Sequence, residues 1–175
     1  MADFGLPDKT NPGANVQFSR DRFDEANRQW AEANDHTYVN STDYTNLHWT
    51  LGINRPSDIY NSSNVSLPAT TDVGLQILNR ANVWSSKNGF NLRVNGMARS
   101  QAVQDFIRQQ PRMMGVAATQ SSHKVGGIDL DYPRKRDGSI DSAKTDEFKK
   151  YLKSFGYKVV DHNNHIHVSP PVGNI

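Results

Sequence analysis

Four of the six histidines in this 175-residue chain fall in two short stretches. The later stretch, Tyr157 to Ser169, reads YKVVDHNNHIHVS. His165 and His167 are two residues apart, a spacing that turns both imidazoles to one face of a β-strand. His162 stands three residues before His165, beside Asp161, with Asn163-Asn164 as a polar turn between them. The earlier stretch, SSHKVGGIDLD, runs from Ser121 through His123 and Gly126-Gly127 to Asp129 and Asp131. The combined pattern is His-x-x-Gly, then Asp-x-Asp, then His-x-x-His-x-His. Two imidazoles and one carboxylate, with a fourth position left open, are the donor set of a catalytic zinc ion, Zn2+. Cysteine is absent, which removes disulfides and thiol nucleophiles and leaves His, Asp, Glu and water as ligands.

Such residues need elements to hold them. Thr70 or Thr71 caps a helix carrying Val73, Ile77, Ala81 and Trp84, which ends at Asn88-Gly89. Phe90, Leu92 and Val94 alternate as a strand that reaches Asn95-Gly96. Arg99-Ser100 opens a second helix with Ala102, Val103, Phe106 and Ile107 on one side and Pro111 as its stop, before a loop over 112–122. Gly127 to Asp131 is a short strand, followed by the basic turn PRKRDG. A helix over 142–154 buries Phe148, Tyr151 and Leu152, with Gly156 as its cap, and a final strand pair ends at Pro170-Pro171. Helices interleaved with short strands, without a parallel βαβ rhythm, predict an α+β fold.

The first third reads differently. Residues 1–18 are rich in Pro, Gly, Asn and Asp, and Ser19 caps a helix with a stripe of Phe23, Ala26, Trp30 and Ala33. Residues 35–70 are dense in Asn, Ser, Thr and Asp with scattered aromatics, among them Tyr38, Tyr44, Trp49 and Tyr60, and predict irregular structure. The chain thus divides into a loop-rich arm over 1–66, for docking or covering a cleft, and a functional domain over 67–175. Charge follows the same division: residues 1–66 carry five Lys/Arg against nine Asp/Glu, and residues 67–175 fifteen against nine. A basic functional half suits an anionic polymer such as cell wall. Nucleic acid fits the bare charge as well, but no reading motif accompanies it, so none is expected as a partner. No run approaches the ~20 apolar residues of a membrane span. The opening MADFGLPDKTNPG has neither the basic nor the apolar region of a signal peptide, so an extracytoplasmic substrate would be reached by another delivery route.

SSHKVGGIDLD and DHNNHIHVSP together resemble the two signatures of the zinc D-alanyl-D-alanine peptidase superfamily, which spans carboxypeptidases, murein endopeptidases, phage endolysins and the hedgehog domain. VNGMARSQAVQ is similar to its Ser-Gly-x-Arg-Ser segment, so the resemblance covers roughly residues 70–170. It implies a small antiparallel sheet with flanking helices. It implies zinc held by His123, an aspartate and His167, with His165 supporting the transition state. Arg99 would meet a substrate carbonyl or carboxylate, helped by Ser121. The family's aspartate lies seven residues after the first histidine, where this chain has Leu130. A bulge at Gly126-Gly127 would absorb one residue and make Asp131 the ligand, with Asp129 as the alternative. The general base is His162 or Asp161, with His162 favoured, because the only glutamate in residues 67–175 is Glu147, in a basic helix. The activity implied is hydrolysis of a stem or crosslink peptide of peptidoglycan by a phage lytic, virion-borne or secreted enzyme, with residues 1–66 meeting other virion or delivery proteins.

Overall fold

The computed structural model describes residues 16–51, 66–109, 120–163 and 165–171, with side chains from Asp24 onward. The expected arm over 1–18 lies outside these up to residue 15, as do Tyr60, Pro111, Asn164 and most of the loop over 112–122; the side chains of Ser19 and Phe23 also lie outside.

Three of the helices follow the local signals, but α1 (Val16–Ala33) is already helical three residues before Ser19, so Ser19 is not its cap. It buries Ala26, Asn27 and Ala31, while Ala33 of the expected stripe is exposed. α2 (Asp72–Asn88) starts where the Thr71 hydroxyl accepts the Gly74 N–H and stops at Gly89, whose left-handed backbone no β-carbon obstructs. Its buried stripe is Ile77, Leu78, Ala81 and Trp84. α3 (Gln101–Gln109) buries Val103, Phe106 and Ile107. In α4 (Ser142–Lys153), Asp141 caps the start and Phe148 and Leu152 turn inward, while Tyr151 is half-buried.

Five strands form the main sheet: β2 (Leu47–Trp49), β4 (Leu92–Gly96), β5 (Ile128–Leu130), β7 (His165–Ser169) and β6 (Lys158–His162), in that spatial order. Two further strands, β1 (Thr37–Tyr38) and β3 (Ala69–Thr70), pair with each other. The α+β class holds, but the sheet is mixed, because β2 runs parallel to β4 and only the other pairings are antiparallel. Strand alternation sorts the side chains by face. Leu47, Leu92, Val94, Ile128, Leu130, Ile166 and Val168 join Ile77, Trp84, Phe148 and Leu152 in one apolar core, with α2 and α4 on that side. The opposite face is left with His48, Arg93, Gly96, Asp129, His165 and His167, a polar set on a rigid frame.

The boundary drawn at 66/67 does not separate two packing units. Val39, Tyr44 and Leu47 are buried in the same core as the later strands, and Trp49 packs against it. Leu47 and Trp49 belong to a strand of three residues, Val39 follows a strand of two and Tyr44 closes a 3-10 turn, so no alternation is printed among so many Asn and Thr. If residues 37–51 are integral, Leu47→Ala should lower unfolding free energy by ~2–5 kcal/mol. Urea denaturation checks this, and a change near zero would restore the picture of a separable arm.

Candidate metal centre

β5 runs between β4 and β7, so Asp129 has Gly96 on one side and His167 on the other. Its carboxylate is 2% exposed. Three imidazoles meet it: His167 Nδ1 at 2.6 Å, His123 Nε2 at 3.3 Å and His165 Nε2 at 3.6 Å. His123 arrives from a 3-10 turn, Ser122–Val125, that ends at Gly126 with φ +106°. A residue with a β-carbon is strained at that φ, and here its β-carbon would also meet the Thr71 hydroxyl at 2.4 Å. The turn then hands the chain to β5.

Local hydrogen bonds set which nitrogens face inward. His123 Nδ1–H donates to the Gly127 carbonyl at 2.9 Å, which leaves Nε2 with its lone pair toward Asp129. His167 Nε2 lies 2.5 Å from Ser122 Oγ. Without a metal, His167 Nδ1–H donates to Asp129 and the serine hydroxyl donates to Nε2. With a cation in place of the Nδ1 proton, that proton would move to Nε2 and the same serine would accept from it, so the ring changes tautomer and keeps its single proton.

His123, Asp129 and His167 offer donor atoms that all lie within 4.8 Å of one another. Ligands at zinc bond lengths on a tetrahedron stand about 3.3 Å apart. The His123–Asp129 separation of 3.3 Å matches that edge. Gly96 keeps the space open, because a β-carbon there would sit 2.7 Å from Asp129 Oδ2 and 3.2 Å from His123 Cε1. The group has the donors and the room for a metal ion.

The preference for Asp131 is corrected by this geometry. Asp131 accepts two hydrogen bonds from Arg134, at 3.0 and 3.1 Å, and one from the Tyr132 N–H, and it does not join the histidines. The irregularity that shifts register lies in β4, between Val94 and Gly96, and not at Gly126-Gly127, which belong to the turn and its exit. Asp161 is corrected as well. It pairs with Ile166 on the core face, where its carboxylate accepts from Tyr132 Oη and from Lys149 Nζ, turned away from the metal group. His162 pairs with His165, and its exposed ring lies 5.0 Å from His165 and 6.1 Å from His167, centroid to centroid.

Arg99 is 3% exposed with Nη1 on Gln104 Oε1 at 3.0 Å, so it stands as a buried charge beside the group. Ser121 is buried too, its N–H donating to Gln101, and its hydroxyl has no hydrogen-bond partner among the described residues. The serine that touches a candidate ligand is Ser122, which sequence reasoning passed over. Gly96 and Gln104 were also missed. An Asn-Gly pair reads as a strand end, and nothing in it signals that a metal group lies against its Cα.

Electrostatics keep the donors in ligating form. Burial pushes the His123 imidazole down to about 4, and Arg99 and His167 add to this against the pull of Asp129. His165 is likewise lowered, chiefly by burial. Burial alone would raise the Asp129 carboxyl, but its histidine contacts outweigh that and hold it well below the usual carboxylate range. Burial also lowers the Arg99 guanidinium to about 10, so it stays charged at neutral pH. No protein-family model, curated protein or solved structure matches the chain.

Asp129→Asn should weaken zinc binding by more than the ~10–100-fold typical of an outer partner, while Asp131→Asn leaves it unchanged. Competition against a chromophoric chelator measures both. The metal-free protein should also be acid-labile. A histidine lowered to about 4 on folding binds fewer protons than its unfolded form, whose value is near 6.5, so its contribution is complete above that value. Falling pH removes about 3 kcal/mol between ~6.5 and ~4, and Asp129 adds a further loss below ~3.8. Urea midpoints taken in chelator across this range test the window, and His123→Gln should flatten its upper part.

Proposed function

We propose that the chain is a zinc-dependent peptidase that hydrolyses a stem or crosslink peptide bond of peptidoglycan. The observation that carries this is the His123–Asp129–His167 group: two imidazoles and one carboxylate whose donor atoms converge, with a third and a fourth histidine on the same sheet face. The resemblance of SSHKVGGIDLD and DHNNHIHVSP to the zinc D-alanyl-D-alanine peptidase superfamily supports the same reading, with Asp129 in place of Asp131.

A zinc ion held by these three residues would polarise the scissile carbonyl and lower the pKa of a water from 15.7 to about 7. The remaining work falls to the chain. His162, exposed at the edge of the group, takes a proton from the attacking water and returns it to the leaving amine. His165, buried and neutral, points Nε2 into the group and supports the oxygen on which charge develops. Arg99 adds a fixed positive charge in a dry setting, where it counts for more than in water. Ser122 and the Gly127 carbonyl hold the two ligand rings in register. Delivery in a virion, as a lytic enzyme or by a secretion machine would bring the protein to the wall.

One observation favours a second reading. With Asp161 on the far face, proton transfer rests on His162 alone, and a metal module without turnover would look the same around the three ligands.

Digestion of purified peptidoglycan, with products identified by mass spectrometry, separates the readings. The zinc-loaded protein should release muropeptides, and chelator should stop it. His162→Gln should cut kcat by ~10²–10⁴-fold while zinc uptake stays intact. Bound zinc without cleavage across wall types would select the non-catalytic module. Absence of both zinc binding and cleavage would sink the proposal.

A further inference from the structure

The polar face of the sheet carries two rows of side chains. One is the metal group on Asp129 and His167. The other is offset by two residues along β5, about 7 Å at strand rise. It runs His48, Arg93, Asp131, His165 and His162 across the strands. His48 pairs with Arg93, His162 pairs with His165, and the Asp131 N–H continues the ladder by donating to the Arg93 carbonyl at 2.8 Å. At the β2–β4 end this row opens into a cleft whose walls include His48, Asn91, Arg93, Asp131 and Arg134.

Cations outnumber anions in that cleft, and they are not equally committed. Arg134 spends two N–H groups on Asp131 and a third on the Gly138 carbonyl. Asp131 is therefore satisfied, and it neutralises one guanidinium. Arg93 makes a single long contact among the described residues, Nε at 4.0 Å from Asp131, and its side chain is 50% exposed. Its planar fork remains open to a bidentate acceptor. Asn91 turns its Oδ1 to His48 Nδ1 at 2.8 Å, which leaves the amide NH₂ as a second donor on the same wall.

We infer that this cleft is a carboxylate subsite, in which Arg93 and Asn91 hold an anionic side group of the substrate two to three residues along the peptide from the bond that is cut. The inference rests on the peptidase reading for its substrate, a peptide lying extended on the polar face. Charge and spacing both serve it. A peptide rising ~3.3 Å per residue covers the distance from the metal row to Arg93 in two or three residues. Asp131, carrying its own counter-charge, sets the position of Arg134 and closes the cleft on one side without repelling the guest outright. The subsite thus prefers an acidic peptide over its amide.

Two synthetic stem peptides test this, identical except that one side carboxylate is free or converted to its primary amide. Binding to the zinc-loaded full chain is read by calorimetry, and cleavage by mass spectrometry. Wild type should bind the free acid about tenfold more tightly than the amide, the worth of one charge-assisted hydrogen-bonded contact. Arg93→Gln should abolish that preference by weakening the free acid far more than the amide, and should leave zinc uptake intact. The preference should also shrink as salt rises. Cleavage of both peptides with no acid preference, or a preference that survives Arg93→Gln, would overturn the subsite while leaving the peptidase standing. Acid-selective binding lost in Arg93→Gln but without cleavage would support the subsite and overturn the peptidase. Neither binding nor cleavage would overturn both.

Discussion

An ionised carboxylate in the middle of a β-sheet costs several kcal/mol in lost hydration unless the surroundings replace the water. Asp129 is in that position, 2% exposed, in a strand flanked on both sides. Much of the local architecture can be understood as its compensation. β7 supplies two imidazoles at the spacing of one strand face, and the turn before β5 supplies a third. Arg99 adds a buried positive charge nearby. A buried acid with three imidazoles and one guanidinium is a poor device for stability, since an apolar residue would pack there more cheaply. That cost makes sense if the group holds something.

The alternation of the sheet decides which residues can take part. Leu130 and Ile166 face the helices, so Asp129, His165 and His167 face the other way, and Asp161, paired with Ile166, goes to the helix side. One residue of slip would have exchanged the sets. The register is fixed by the apolar residues of β5 and β7 in the core, so the chemistry is positioned by packing that never touches it. The irregularity in β4 completes the arrangement by bringing Gly96, with no side chain, opposite Asp129.

Much of this was legible. α2 announced itself by a threonine cap, an apolar stripe and a terminal glycine, and all three stand where the spacing placed them. The two histidine clusters could be joined from their rarity and the Asp-x-Asp strand between them, and the resemblance to the zinc peptidase signatures singled out His123 and His167 within them. What could not be read were features that depend on partners distant in sequence. Asp129 and Asp131 have the same spacing parity and face the same way. Arg134, three residues past Asp131, takes its carboxylate out of play, and no local signal ranks that claim against three histidines. Tyr132 and Lys149 claim Asp161 in the same manner. β2 was lost for another reason: a three-residue parallel strand gains its definition from β4, 45 positions away, where Leu47 pairs with Leu92.

The pair of aspartates on one face carries a more general point. Two like charges about 7 Å apart on a half-dry surface repel each other unless each is screened by its own cations. Here the screens differ in kind. Asp129 is surrounded by imidazoles, which can give up a proton to a metal and remain neutral donors. Asp131 is held by Arg134, a guanidinium that stays protonated and cannot serve as a ligand. The choice of cation therefore sorts the two carboxylates: the one facing histidines can hold a metal, and the one facing arginine becomes part of an electropositive wall. Position along the chain could not have made that distinction, because Asp129 lies in β5 and Asp131 directly after it, on the same face. The side chains brought to them by other elements make it.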